Sequence, residues 1–109
     1  MTHPLLEKYG IKYPPCGFDV PSGWVKLVDR LIARLIVLGW DKDLQQVKEK
    51  FGGLRFYIGS ASVKVHRRIN VAENRSFKIC IVCGSSKDVR STGGSWIEYA
   101  CAKHRGETK

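Results

Sequence analysis

Acid is scarce in this chain, and long apolar runs are missing. Asp and Glu total 10 against 19 Lys and Arg, a formal charge of +9 over 109 residues. The longest unbroken aliphatic run, Leu35-Ile36-Val37-Leu38, falls far short of the ~20 apolar residues that a membrane-spanning helix needs. No charged start, extended apolar stretch or small-residue cleavage site follows Met1, which argues against a secretory leader and for a cytoplasmic location. Catalytic motifs are missing too. No histidine is followed two residues later by glutamate, and there is no G-x-S-x-G, no P-loop and no H-E-x-x-H. His3 and His66 have no evident partner carboxylate nearby in sequence, so the expectation is a protein that is not an enzyme.

What is present reads as one small α+β domain over residues 1–109. A hydrophobic fraction of 43% and a charged fraction of 27% suit a globular chain. A chain of this length builds a modest core and gains from a staple. The positive excess is uneven. Residues 1–59 carry nine basic and six acidic side chains, and residues 60–109 carry ten and four. Such an excess attracts polyanions at long range and points to nucleic acid or nucleotides as partners. A charge kept for solubility is the plainer alternative.

Local patterns place the elements. Residues 3–10 suit a short helix with Pro4 in its first turn and Gly10 as its stop. Residues 13–21 hold Pro14, Pro15, Pro21 and Gly17 and form a loop. Ser22 reads as the N-cap of a helix running to Leu38, ended by Gly39. Its polar residues Lys26, Asp29, Arg30 and Arg34 make one narrow wet stripe, so this is the core helix. Residues 44–58 read as a hairpin turning at Gly52-Gly53, which pairs Lys50 with Arg55 and Val47 with Ile58. One hairpin face then holds Val47, Phe51, Leu54, Phe56 and Ile58 with Glu49 among them. The other holds Lys48, Lys50, Arg55 and Tyr57, a surface suited to anions, with an ordinary solvated face as the competing reading. Residues 63–77 form a second helix with Val65, Ile69, Ala72 and Ser76 on one face and Arg67, Arg68 and Arg75 largely elsewhere. A third strand opening at Val63 and Val65 is the alternative.

The most specific signal is a set of metal ligands. Cys80-Ile81-Val82-Cys83-Gly84 is a C-x2-C-G, and Cys101-Ala102-Lys103-His104 is a C-x2-H. Together Cys80, Cys83, Cys101 and His104 make a three-thiolate, one-imidazole set that zinc favours, with iron or a redox dithiol as alternatives. Residues 87–91 and 95–99 can pair as strands around Thr92-Gly93-Gly94, and the second pair then opens a short helix. Knuckle, hairpin and helix start resemble a treble-clef zinc finger over residues 79–106. Four protein ligands leave no place for an activated water, so the Zn2+ is expected to be structural. Cys16 is left over and is expected to be buried as a small hydrophobe, with ligand replacement as the alternative.

The stretch Gln46-Val47-Lys48-Glu49-Lys50-Phe51-Gly52-Gly53-Leu54-Arg55-Phe56-Tyr57, followed by a helix and the C-x2-C-G finger, resembles a group of small proteins encoded by phages and prophages. The resemblance implies a phage setting and a bacterial host cytoplasm, and carries over no activity. The leading expectation is a zinc-stabilised basic module that binds nucleic acid or nucleotides. Lys48, Lys50, Arg55, Arg67, Arg68 and Arg75 would contact phosphate, with Lys103 and Arg105 beside the finger. The alternative is a small inhibitor that binds a host defence or nucleic-acid enzyme. Trp96 and Tyr99 would then be its anchors, unless Trp96 packs over the finger's own core, the plainer expectation.

Overall fold

A computed structural model describes residues 2–105, and the fold is α+β. Helix α1 (Pro4–Tyr9) leads through a loop to a 3-10 turn (Ser22–Trp24) and helix α2 (Val25–Val37). Strands β1 (Leu44–Lys50) and β2 (Gly53–Ile58) form a hairpin, followed by helix α3 (Val63–Ser76). The finger adds β3 (Arg90–Ser91) and β4 (Tyr99–Ala100). No helix among the described residues is long and apolar enough to cross a membrane.

Helix α2 is the core element, though its buried face is narrower than the pattern predicts: Val25 and Val37 are exposed, so the wet side is wider than one stripe. Val28, Leu31, Ile32 and Leu35 are all buried, and each contributes about 1.5–3 kcal/mol of burial. Its C-terminus closes on Gly39, with Gly39 N–H bonded to the Ile36 carbonyl and Trp40 N–H to the Leu35 carbonyl. Its start differs from expectation. Ser22 does not cap the helix; it opens the 3-10 turn, and its hydroxyl donates to the Val82 carbonyl at 2.8 Å. A tertiary acceptor has won over the local one, because this end of the helix is docked on the finger. At the other end of the chain His3 caps α1, its Nδ1 accepting from Leu5 N–H at 3.1 Å. Lys8 and the Tyr9 hydroxyl both bond the Asp29 carboxylate of α2 and hold it below the usual carboxylate range, the tyrosine contributing most.

The hairpin corrects the expected register. Its turn is Phe51-Gly52, both at positive φ (52° and 83°), and not Gly52-Gly53. Lys48 therefore faces Arg55, Val47 faces Phe56 and Lys50 faces Gly53. Each partner moves by two residues, so the alternation survives. Lys48, Lys50, Arg55 and Tyr57 still share the outer side, while Val47, Leu54 and Phe56 are buried. Phe51, expected among the inward residues, stands at the apex and is 74% exposed. Two contacts explain the shift. Glu49 accepts from Gly52 N–H at 2.6 Å, and the Phe77 ring lies on Gly53, where an added Cβ would stand only 2.4 Å from it.

Both edges of this two-stranded sheet are occupied. Along β1, Val47 N–H bonds Gly17, and Asp19 N–H bonds Val47, so the loop before α2 adds a short parallel bridge at Phe18. Along β2, side chains of α3 take the free donors. Ser76 Oγ accepts from Leu54 N–H at 2.9 Å, and the Glu73 carboxylate accepts from Phe56 N–H at 3.0 Å. The face of α3 turned to the sheet is Val65, Ile69, Ala72 and Ser76, as the pattern indicates; Ser62 caps the helix and Val63 is exposed, which removes the strand alternative. Ser76 is the buried polar side chain of the described core. Ser76→Ala leaves the Leu54 donor unpaired in a dry environment and should lower stability by about 1–3 kcal/mol, read from the urea midpoint at unchanged slope.

Candidate metal centre and an adjoining basic furrow

The four expected ligands converge. The donor atoms of Cys80, Cys83, Cys101 and His104 all lie within 4.8 Å of one another. Two local structures deliver them. In the knuckle, Gly84 N–H bonds the Cys80 carbonyl at 2.9 Å and Cys80 N–H bonds Ser85, with Gly84 at φ 81°. In the second pair the expected short helix is, among the described residues, a single turn in which His104 N–H bonds the Cys101 carbonyl at 3.0 Å. The pairs are tied together by Ile81 N–H on the Tyr99 carbonyl, and by Arg105, which donates to the Asp88 and Ala100 carbonyls and pairs with the Asp88 carboxylate. Arg105 is thus a structural strut of the finger, while Lys103 is exposed. The strands between the pairs are shorter than expected: Ser91 faces Tyr99, and residues 92–98 form a loop held by Thr92. Residue 106, the end of the expected finger span, lies outside the described residues.

The donor set could hold a metal ion, and three of its donor–donor distances are near the edges of a tetrahedral site. Cys83 Sγ is 3.9 Å from Cys101 Sγ; His104 Nδ1 is 3.3 Å from Cys101 Sγ and 3.7 Å from Cys80 Sγ. A zinc ion with ordinary Zn–S and Zn–N bonds would set tetrahedral edges of about 3.8 Å and about 3.5 Å. Burial pushes the Cys80 thiol up, but the backbone N–H groups of Cys101, Cys83 and Val82 outweigh it and bring its pKa down to about 6. At Cys83 the Ser85 backbone lowers the pKa, but burial and the neighbouring thiols of Cys80 and Cys101 raise it more. Cys16 stands apart from the group and is exposed, contrary to the expected burial. Its N–H and carbonyl bond Gln45 and Gln46 along the β1 edge, which holds its backbone at the surface.

The knuckle is seated closely on the start of α2. Gly23 N–H bonds the Ile81 carbonyl at 2.9 Å, and a Cβ on Gly23 would stand 2.0 Å from the Cys80 carbonyl oxygen. Only glycine lets α2 begin against the knuckle. This contact also builds a furrow of about 740 Å3 between α2, α3 and the knuckle. Leu27, Leu31, Val71, Ala72 and Ile79 give it apolar walls; Lys26, Arg30, Arg68, Arg75 and Lys78 give it charge, and Cys83 and Gly84 line its knuckle side. A shallower hollow sharing Arg68 and Val71 adds Arg34, Lys64 and Arg67. Among the described residues no acid lines either. Asp29, on the same helix as Lys26 and Arg30, is bonded to Lys8 and Tyr9.

The expected phosphate contacts are therefore split. Arg67, Arg68 and Arg75 come together with cations of α2 that sequence reasoning left in a wet stripe. Lys26, Arg30 and Arg34 recur every four residues and so form one row along the helix, a signal that was readable. Lys48, Lys50 and Arg55 line neither hollow and stay on the outer face of the hairpin. Trp96 is 57% exposed, so it does not pack over the finger's core; Tyr99 is half-buried, edge-on to Phe77 at 5.2 Å.

Cys101→Ser should cut metal content well below one ion per chain and lower the melting temperature, whereas Cys16→Ser should change neither; atomic absorption and a thermal melt decide. Metal affinity should fall with pH because thiolates must be formed for the ion to bind. The fall should steepen as pH drops through about 6, where Cys80 also takes up its proton; competition with a chromogenic chelator reads the slope. Compared with known proteins, the chain matches no family model, no curated protein and no solved structure.

Proposed function

We propose that this chain is a zinc-stabilised basic module that binds nucleic acid through the α2/α3 furrow and catalyses no reaction. The observation that carries this reading is the furrow itself. Two helices turn cations toward one concavity, and among the described residues no acid lines it and no ion pair occupies those cations. Backbone phosphates would neutralise that charge and release counterions.

Zinc is the metal of this proposal because three thiolates and one imidazole close a tetrahedral sphere that zinc favours. When bound it supplies cross-linking and no chemistry. Cys80 and Cys83 hold one side of the furrow in place, Gly23 lets the helix start rest on them, and Arg105 braces the second pair. The thiolates need a reducing environment, in keeping with the cytoplasmic, phage-type setting that the 46–57 segment suggests.

A second reading, an inhibitor of a host protein, draws on the exposed Phe51 and Trp96, since aromatic side chains dominate protein interfaces. Fluorescence anisotropy with labelled oligonucleotides at two salt concentrations separates the readings. Binding should weaken steeply with salt, and Arg68→Glu with Arg75→Glu should reduce affinity at least tenfold while flattening the log–log salt slope by about 1–2. Reversal of Lys48, Lys50 and Arg55 should cost less. No binding at low salt would overturn the nucleic-acid reading and leave the host protein.

A further inference from the structure

The hairpin tip and the finger loop meet at Gly52. Gly52 touches both partners: a Cβ placed on it would stand 2.9 Å from the Tyr99 ring and 3.0 Å from the Ile97 carbonyl oxygen. The Phe77 ring covers Gly53 and meets Tyr99 edge-on. Two segments distant in sequence, Phe77 and residues 97–99, thus converge on two adjacent glycines. Phe51 and Trp96 are each one residue from that contact, and both are solvent-facing, at 74% and 57%. A hairpin apex ordinarily carries a small polar residue; here a phenylalanine is held at positive φ, at a cost, with its ring in water.

The surroundings of the Phe51 ring are cationic, while the nearest charged residue in the loop of Trp96 is Glu98. Lys50 Nζ lies 6.0 Å from the centre of the Phe51 ring, and Lys48 and Arg55 follow on the same hairpin face. The one acid of the hairpin, Glu49, is turned inward and bonded to Gly52 N–H. Exposed flat rings bordered by cations are what a single strand of nucleic acid uses: the rings stack on bases and the cations take phosphates. A duplex keeps its base faces covered and cannot use them.

We propose that Phe51 and Trp96 form a stacking platform for unpaired nucleobases, so that the nucleic acid bound by this chain is single-stranded. This rests on the nucleic-acid reading of the furrow. It also gives the hairpin cations a role the furrow does not, since they border the platform.

The test uses the metal-loaded full chain with three probes of equal phosphate number: a thymidine oligonucleotide, an abasic strand and a duplex. Trp24 and Trp40 are buried, so Trp96 is the solvent-facing tryptophan and reports directly. The thymidine strand should bind tightest and quench Trp96 emission; the abasic strand and the duplex should not quench it. Phe51→Ala and Trp96→Ala should each weaken thymidine-strand binding about 5- to 100-fold at an unchanged salt slope, and leave abasic-strand binding as it was. Trp96→Phe should keep most of the affinity. Metal content and melting temperature should not move in these variants, because both side chains lie outside the core. Equal binding of all three probes, insensitive to Phe51 and Trp96, would overturn the platform and leave the furrow reading standing. No binding of any probe would overturn both, and give the aromatic patch to a protein partner.

Discussion

The contact on which the structure depends is the seating of the Cys80–Cys83 knuckle on the first turn of α2. It consists of two hydrogen bonds, Gly23 N–H to the Ile81 carbonyl and the Ser22 hydroxyl to the Val82 carbonyl, and an approach so close that no side chain fits at residue 23. Ile81 enters the main core from the finger, while Cys80 and Cys101 form a second small cluster with Ala100. Val82 packs on both. A cluster of that size is too small to hold a fold alone. The group able to take a metal therefore stands where cross-linking offsets most: between the C-terminal segment and the helix on which everything else packs.

The same seating shapes the surface. Because the knuckle abuts α2, its residues Cys83 and Gly84 complete a furrow whose charge comes from α2 and α3. Electrostatic preference follows from which acids are engaged elsewhere. Asp29 is taken by Lys8 and Tyr9, Glu73 by the Phe56 N–H, and Asp88 by Arg90 and Arg105. Among the described residues, no ion pair takes the cations that line the furrow.

The hairpin illustrates how a small sheet survives with two strands. An isolated pair is marginal in water. Here the Gly17–Asp19 backbone completes one edge, and two side chains of α3 take the donors of the other. Those bonds also orient α3, so the helix that contributes Arg68 and Arg75 is set by hydrogen bonds to a strand and by Val65 and Ile69 against the core. Sheet edge and charged furrow are two sides of one helix.

The sequence by itself determined what depends on short spacing. The two ligand pairs are local loops, so their residue types and intervals identified all four donors. The buried faces of α2 and α3 are periodic, so their central residues were legible, although Val25 and Val37 at the ends of α2 stand in solvent. Even the inner and outer faces of the hairpin survived a wrong turn, because a shift of two residues preserves alternation. Only the tertiary structure decided what depends on partners far along the chain. Phe77 on Gly53 and Glu49 on Gly52 moved the turn and lifted Phe51 into solvent. Val82 drew Ser22 away from capping, the β1 edge held Cys16 at the surface, and α3 came to face the Lys26–Arg30–Arg34 row across the furrow. Periodicity says which side of a helix is wet; it carries no information about which wet side another helix will share.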